Sequence, residues 1–182
     1  NYRFGDFYDG EIYDATVDLE TINWREASPI TLGFDPKLSV RYGCPIRAHE
    51  RLVPEKIFKA KNDREWIYDF GQNFAGVISL KIYAHKNQTI TIRHAEVLFK
   101  GDLCVNSLRT AKATVTYICK EGEQTYSPRL TYMGFRYIGI SGIEPENIEV
   151  SALAIYSDIN EIGFFECSNP MLNQMQSIIK WG

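Results

Sequence analysis

His94 and Glu96 lie two apart in Ile92-Arg93-His94-Ala95-Glu96-Val97-Leu98. On an extended strand that spacing puts an imidazole and a carboxylate on one face. Such a pair can move protons if both groups converge on a substrate. Ile90, Ile92 and Leu98 share the same parity, however, which marks that face as the side turned to a core. A carboxylate there is costly to desolvate unless an opposite charge meets it. Arg109 and Arg136 stand in strand-like segments within reach, and a guanidinium fork suits a buried carboxylate. The expectation is a structural charge cluster of Glu96, Arg109 and Arg136, with no catalytic residue among them.

Other constellations are weaker. Asp69-Phe70-Gly71 matches a metal-binding triplet of kinases but lacks every companion motif of that site. With Gly71, Asn73 and Gly76 nearby, Phe70 to Gly76 reads as a turn. Asp6, Asp9, Glu11, Asp14 and Asp18 offer hard oxygen ligands at a spacing that fits no calcium loop. A solvated acidic face is expected there, with no metal and no cofactor. Tyr2, Phe7, Tyr8 and Trp24 are aromatic candidates for stacking on sugars. Cys44, Cys104, Cys119 and Cys167 are too scattered for a zinc site and too sparse for a disulfide scaffold. Phosphate loops, Gly-x-Ser-x-Gly elbows and His-Glu-x-x-His helices are missing.

The elements that would position these groups are mostly strands. Ala75–Tyr83, Thr89–Leu98, Thr114–Cys119, Phe135–Ile140 and Ile148–Tyr156 alternate or are rich in β-branched residues, with short turns between them. That pattern predicts an all-β fold, antiparallel sheets packed as a sandwich. Residues 1–45 read instead as an extended, aromatic and acidic segment followed by a Pro- and Gly-containing linker. From Asn169-Pro170 onward, Leu172, Met175 and Ile179 fall on one face of a single C-terminal helix.

Composition narrows the classes further. The chain has 182 residues, 45% of them apolar, with 20 Lys+Arg against 23 Asp+Glu and a formal net charge of -3. A chain of this size hides roughly 70% of its unfolded surface, enough for a sizeable core. Intrinsic disorder is excluded. Without a basic field, nucleic acid is not an expected partner, and no apolar stretch reaches the length of a membrane span. The first residue is Asn1 rather than methionine, so a processed product or a cut piece is expected; no compartment is indicated.

Four strings then occur in order: Tyr68-Asp69-Phe70-Gly71-Gln72-Asn73-Phe74-Ala75-Gly76, Ile92-Arg93-His94-Ala95-Glu96-Val97-Leu98, Thr131-Tyr132-Met133-Gly134-Phe135-Arg136-Tyr137 and Phe165-Glu166-Cys167-Ser168-Asn169-Pro170-Met171-Leu172-Asn173. With Tyr8-Asp9-Gly10-Glu11-Ile12-Tyr13-Asp14-Ala15 ahead of them, the chain resembles the bacterial α-L-rhamnosidase family. The resemblance implies the tail of an N-terminal β-domain and linker in residues 1–45. It implies a concanavalin-like (jelly-roll) sandwich in 46–160 and the first helix of a helical catalytic barrel in 161–182. Such enzymes hydrolyse terminal α-L-rhamnosides with inversion, using a general acid and a general base. The implied role here is a non-catalytic accessory sandwich whose partners are the remaining domains, especially the barrel. The alternative is a carbohydrate-binding module for L-rhamnose or related sugars.

Overall fold

Period-two alternation folds most of the chain into strands in the computed structural model, which describes residues 1–181; Gly182, at the end of the third expected segment, lies outside them. Strands β1 (Tyr2–Asp6) and β2 (Gly10–Asp14) form a hairpin. Next come β3 (Ile46–Leu52), β4 (Lys56–Lys59) and the 19-residue β5 (Trp66–Ala84). They are followed by β6 (Thr89–Ala95), the short pair β7 (Leu98–Phe99) and β8 (Asp102–Leu103), β9 (Thr114–Ile118) and β10 (Gly122–Tyr126). Strands β11 (Met133–Ser141) and β12 (Ile148–Ser157) precede helix α1 (Pro170–Trp181).

The long β5 joins the two layers of the sandwich. Its first half pairs with β11 and β4; its second half pairs with β12 and β10. From β11 the sheet continues through β6, β9, β2 and β1, and from β12 it continues to the edge strand β3. A Cβ on Gly76, where partners change, would press on the Leu153 backbone carbonyl at 2.5 Å, so only glycine lets β12 approach. Every strand pair is antiparallel except β2 with β9, which is parallel. Residues 2–14, expected in the tail of a preceding domain, thus extend the sheet.

The core lies between the layers. Ile78, Leu80 and Ile82 of β5, Ile90 and Ile92 of β6, and Val115 and Tyr117 of β9 are buried on alternate positions. In β11 the buried set shifts from Met133 and Phe135 to Ile138 and Ile140. That change of parity coincides with a register shift, where Phe135 pairs with Phe74 but Tyr137 pairs with Asp69. Residues Phe70–Asn73 of β5 bow out opposite Arg136. The expected turn at Phe70–Gly76 is therefore a wide bulge inside a longer strand. Its Gly71 has φ +78, a left-handed conformation that favours glycine, and lies beside the Glu55 carboxylate.

Flanking segments behave differently. Residues 17–45 and 158–169 form no strand or helix and are almost wholly exposed. Helix α1 starts as its sequence predicts: the Asn169 side chain accepts a hydrogen bond from the Met171 backbone N–H at 3.0 Å, and Pro170 takes the first helical position. No residue of α1 is fully buried.

Candidate functional site

His94, near the end of β6, is buried to 2% exposure. Its Nδ1 lies 2.9 Å from the Ala113 carbonyl oxygen, and its ring meets Phe135 edge-on at 4.9 Å. Burial pushes its pKa down to about 4, and the Ala113 carbonyl only partly offsets that. A neutral imidazole with one nitrogen tied to backbone and an aromatic wall beside it packs the core.

Glu96 does not join it there. Strand β6 ends at Ala95, so the alternation that turns Ile90, Ile92 and His94 inward stops one residue short. Glu96 is exposed and accepts a hydrogen bond from the Asn73 side chain at 3.2 Å. Arg109 is exposed too, at φ +57, where the 3-10 turn Asn106–Leu108 ends. The inward parity of Ala113, Val115 and Tyr117 does not reach back through that turn. Arg136 is half-buried, and its Nε and Nη2 donate to the two carboxylate oxygens of Asp69 at 2.8 and 3.0 Å. The expected Glu96–Arg109–Arg136 cluster is not assembled: the three residues bond elsewhere or face solvent.

The buried charges are others. Arg136 holds the Asp69 carboxyl below its ordinary pKa, aided by the Gly71 backbone N–H at 2.8 Å. Glu65 is 3% exposed and receives two N–H donors of Arg93. A Cβ on Gly139 would collide with the Glu65 carboxylate. Glu11 is fully buried; it accepts from the Tyr126 hydroxyl at 2.5 Å and from the backbone N–H groups of Arg129 and Leu130 at 3.0 and 2.8 Å. Asp14 is paired with Arg3 and accepts from the Thr16 hydroxyl, which lowers its pKa. The front carboxylates are thus not one solvated face, because Glu11 and Asp14 lie inside. Sequence carried one signal for these sites: Asp69 interrupts the apolar run Ile67-Tyr68-Asp69-Phe70, where a lone carboxylate requires a partner.

A cavity of about 1140 Å³ lies between the segment Ala15–Glu20 and strand β10, with Tyr2, Tyr13, Tyr117 and Tyr126 in its wall. Of the expected aromatic candidates Tyr2 faces it; Phe7 instead packs edge-on against Tyr132 at 6.0 Å, while Tyr8 and Trp24 are exposed. Among the described residues, no three His, Cys, Asp or Glu side chains are grouped as a metal site, and the four cysteines are free thiols.

Comparison with known proteins places these features in a wider frame. The family model of the bacterial alpha-L-rhamnosidase concanavalin-like domain matches residues 59–156. An alpha-L-rhamnosidase of Alteromonas sp. (strain LOR) is 32% identical, over 99% of this chain and 21% of its own length. The crystal structure of a native rhamnosidase from Aspergillus terreus superposes with a TM-score of 0.82 at 29% identity, over 99% of this chain and 22% of that one. The Streptomyces avermitilis alpha-L-rhamnosidase complexed with L-rhamnose gives a TM-score of 0.81 at 32% identity, over 97% of this chain and 18% of that one. The chain therefore spans about a fifth of the length of the relatives it matches.

Proposed function

Because the chain belongs to the bacterial α-L-rhamnosidase family, through its concanavalin-like domain, we propose that it is the non-catalytic β-sandwich of an enzyme hydrolysing terminal α-L-rhamnosides. Inversion at a glycosidic bond needs two carboxyl groups about 6.5–9.5 Å apart across the scissile linkage, with room for a water. In this proposal both come from the helical part of the enzyme. The sandwich supports that part and fixes its position, with residues 161–182 as the beginning of the helical barrel and residues 1–45 as the approach from a preceding β-domain.

The observation that carries this proposal is the state of the buried carboxylates. Glu11, Asp14, Glu65 and Asp69 are each bonded to an arginine, a hydroxyl or backbone N–H groups. A general acid has to keep its proton until the leaving group needs it, and a general base must face a water. Carboxylates held in this way serve cohesion. The 182-residue chain should therefore leave an aryl α-L-rhamnoside intact. Turnover that disappears in Glu96→Gln or His94→Gln would overturn the assignment.

A further inference from the structure

We propose that the outward face of the bulge, where Glu55 and Glu96 stand, seats the helical part of the enzyme through basic side chains of that part. The inference rests on the scaffold role proposed above and adds the face and the chemistry of the contact. Three of the four strings that carry the family resemblance meet there, although they lie far apart in the chain. Asp69 of the first holds Arg136 of the third, and Asn73 of the first donates to Glu96 of the second. A Cβ on Gly134 of the third would stand 3.7 Å from the Glu96 carboxylate. Asn73, Glu96 and Gly134 are exposed, so these contacts order a surface and add little to the core.

The charge of this face is unbalanced. Arg136 commits its Nε and Nη2 to Asp69. Glu55 and Glu96 are exposed and make no ion pair among the described residues. Beside them in the chain, Val53, Ile57 and Val97 are half exposed or more. Apolar groups around a few fixed polar ones have the make-up of an interface. Covering two carboxylates without a counter-charge is strongly unfavourable, so the covering surface must bring ammonium or guanidinium groups.

The course of the chain names the occupant. Strand β12 last pairs with β5 at Ala154 and Gly76, close to Asn73, so the chain leaves the sandwich beside the bulge. Helix α1 returns to that end, with Trp181 edge-on to Tyr156 at 6.5 Å. In the scaffold role the helical part follows α1, and it therefore starts next to this face.

The test is carboxyl labelling with a carbodiimide and glycine ethyl ester, read by mass spectrometry, on the 182-residue chain and on the whole enzyme. Glu55 and Glu96 should react in the chain and be protected about tenfold in the whole enzyme, as groups in the core of an interface are. Exposed Glu149, opposite Lys81 toward the other end of β12, should react alike in both. Glu55→Lys combined with Glu96→Lys should lower the thermal midpoint of the whole enzyme by about 3 °C and leave that of the 182-residue chain unmoved. Equal labelling of Glu55 and Glu96 in the two forms overturns the proposal, as do equal shifts of the two midpoints. Protection that arises in the 182-residue chain on raising its concentration assigns the face to a second copy and overturns it too. Hydrolysis of an aryl α-L-rhamnoside by the whole enzyme tests the scaffold reading separately, so the two failures are distinguishable.

Discussion

Between Ala60 and Ala154, the apolar residues at inward positions vanish from the surface: Ile67, Ile78, Ile90, Val115, Phe135 and Ile138 are all 0% exposed. On either side of that body, comparable residues stand open. Leu38 is 100% exposed and Phe164 86%, and Trp24, Phe34, Met171 and Ile178 are open as well. The body completes its burial with its own strands, whereas the flanks leave most of their core-type residues open, Trp181 against Tyr156 being an exception. Soluble monomers rarely display such stretches without a partner. The flanks thus fit the proposed packing against the rest of a larger enzyme, and the body supplies the stability.

The contrast can be broken experimentally. Phe135 packs against Phe70, Phe74 and His94, so Phe135→Ala should lower the unfolding free energy in urea by about 3–5 kcal/mol. Phe164→Ala should leave the midpoint where it was. Comparable losses from both would erase the distinction between body and flank.

Acid gives the next largest effect. In the folded body the pKa of His94 falls to about 4, below the usual value of about 6.5 that it regains on unfolding. The unfolded chain therefore binds more protons in that window. The contribution of neutral His94 is complete above pH ~6.5 and declines as the pH falls toward ~4, amounting to about 3 kcal/mol. His94→Asn should flatten the pH dependence of the midpoint in that interval; an unchanged slope would show that the imidazole is not desolvated.

A smaller loss should follow Arg136→Ala, which leaves the 6%-exposed Asp69 without its bidentate partner. Because the arginine is partly open to water, about 1–2 kcal/mol is expected at neutral pH. The Asp69 pKa is lowered in the fold, so this contribution is present above the usual carboxylate pKa and lost as the pH drops through the folded value. The penalty of Arg136→Ala should accordingly shrink in acid. Smallest of all, Glu96→Gln and Arg109→Ala should leave the urea midpoint unmoved, since both side chains are exposed. A marked loss from either would argue for the charge cluster after all, against the exposure of both side chains.

Strand alternation was legible where it was uninterrupted. Ile90, Ile92 and His94 turn inward, and the helix begins at Pro170 with its asparagine cap. The charge partners were not legible, because parity is only meaningful within a strand. Glu96 lies one residue past the end of β6, and Arg109 lies before the start of β9. The bulge at Phe70–Asn73 sets Arg136 beside Asp69, a partner 67 positions away that no local spacing indicates.

From residue order alone came the β class, the sites of the main strands, the C-terminal helix and the family strings. These depend on local periodicity, on turn and cap chemistry and on words of sequence that need no neighbours. Tertiary structure alone decided the parallel joining of β2 to β9, which carboxylates go inside, and the tyrosine-walled cavity between distant segments. Each depends on which strands come side by side and in which register, and a shift of one residue there exchanges the buried face for the exposed one.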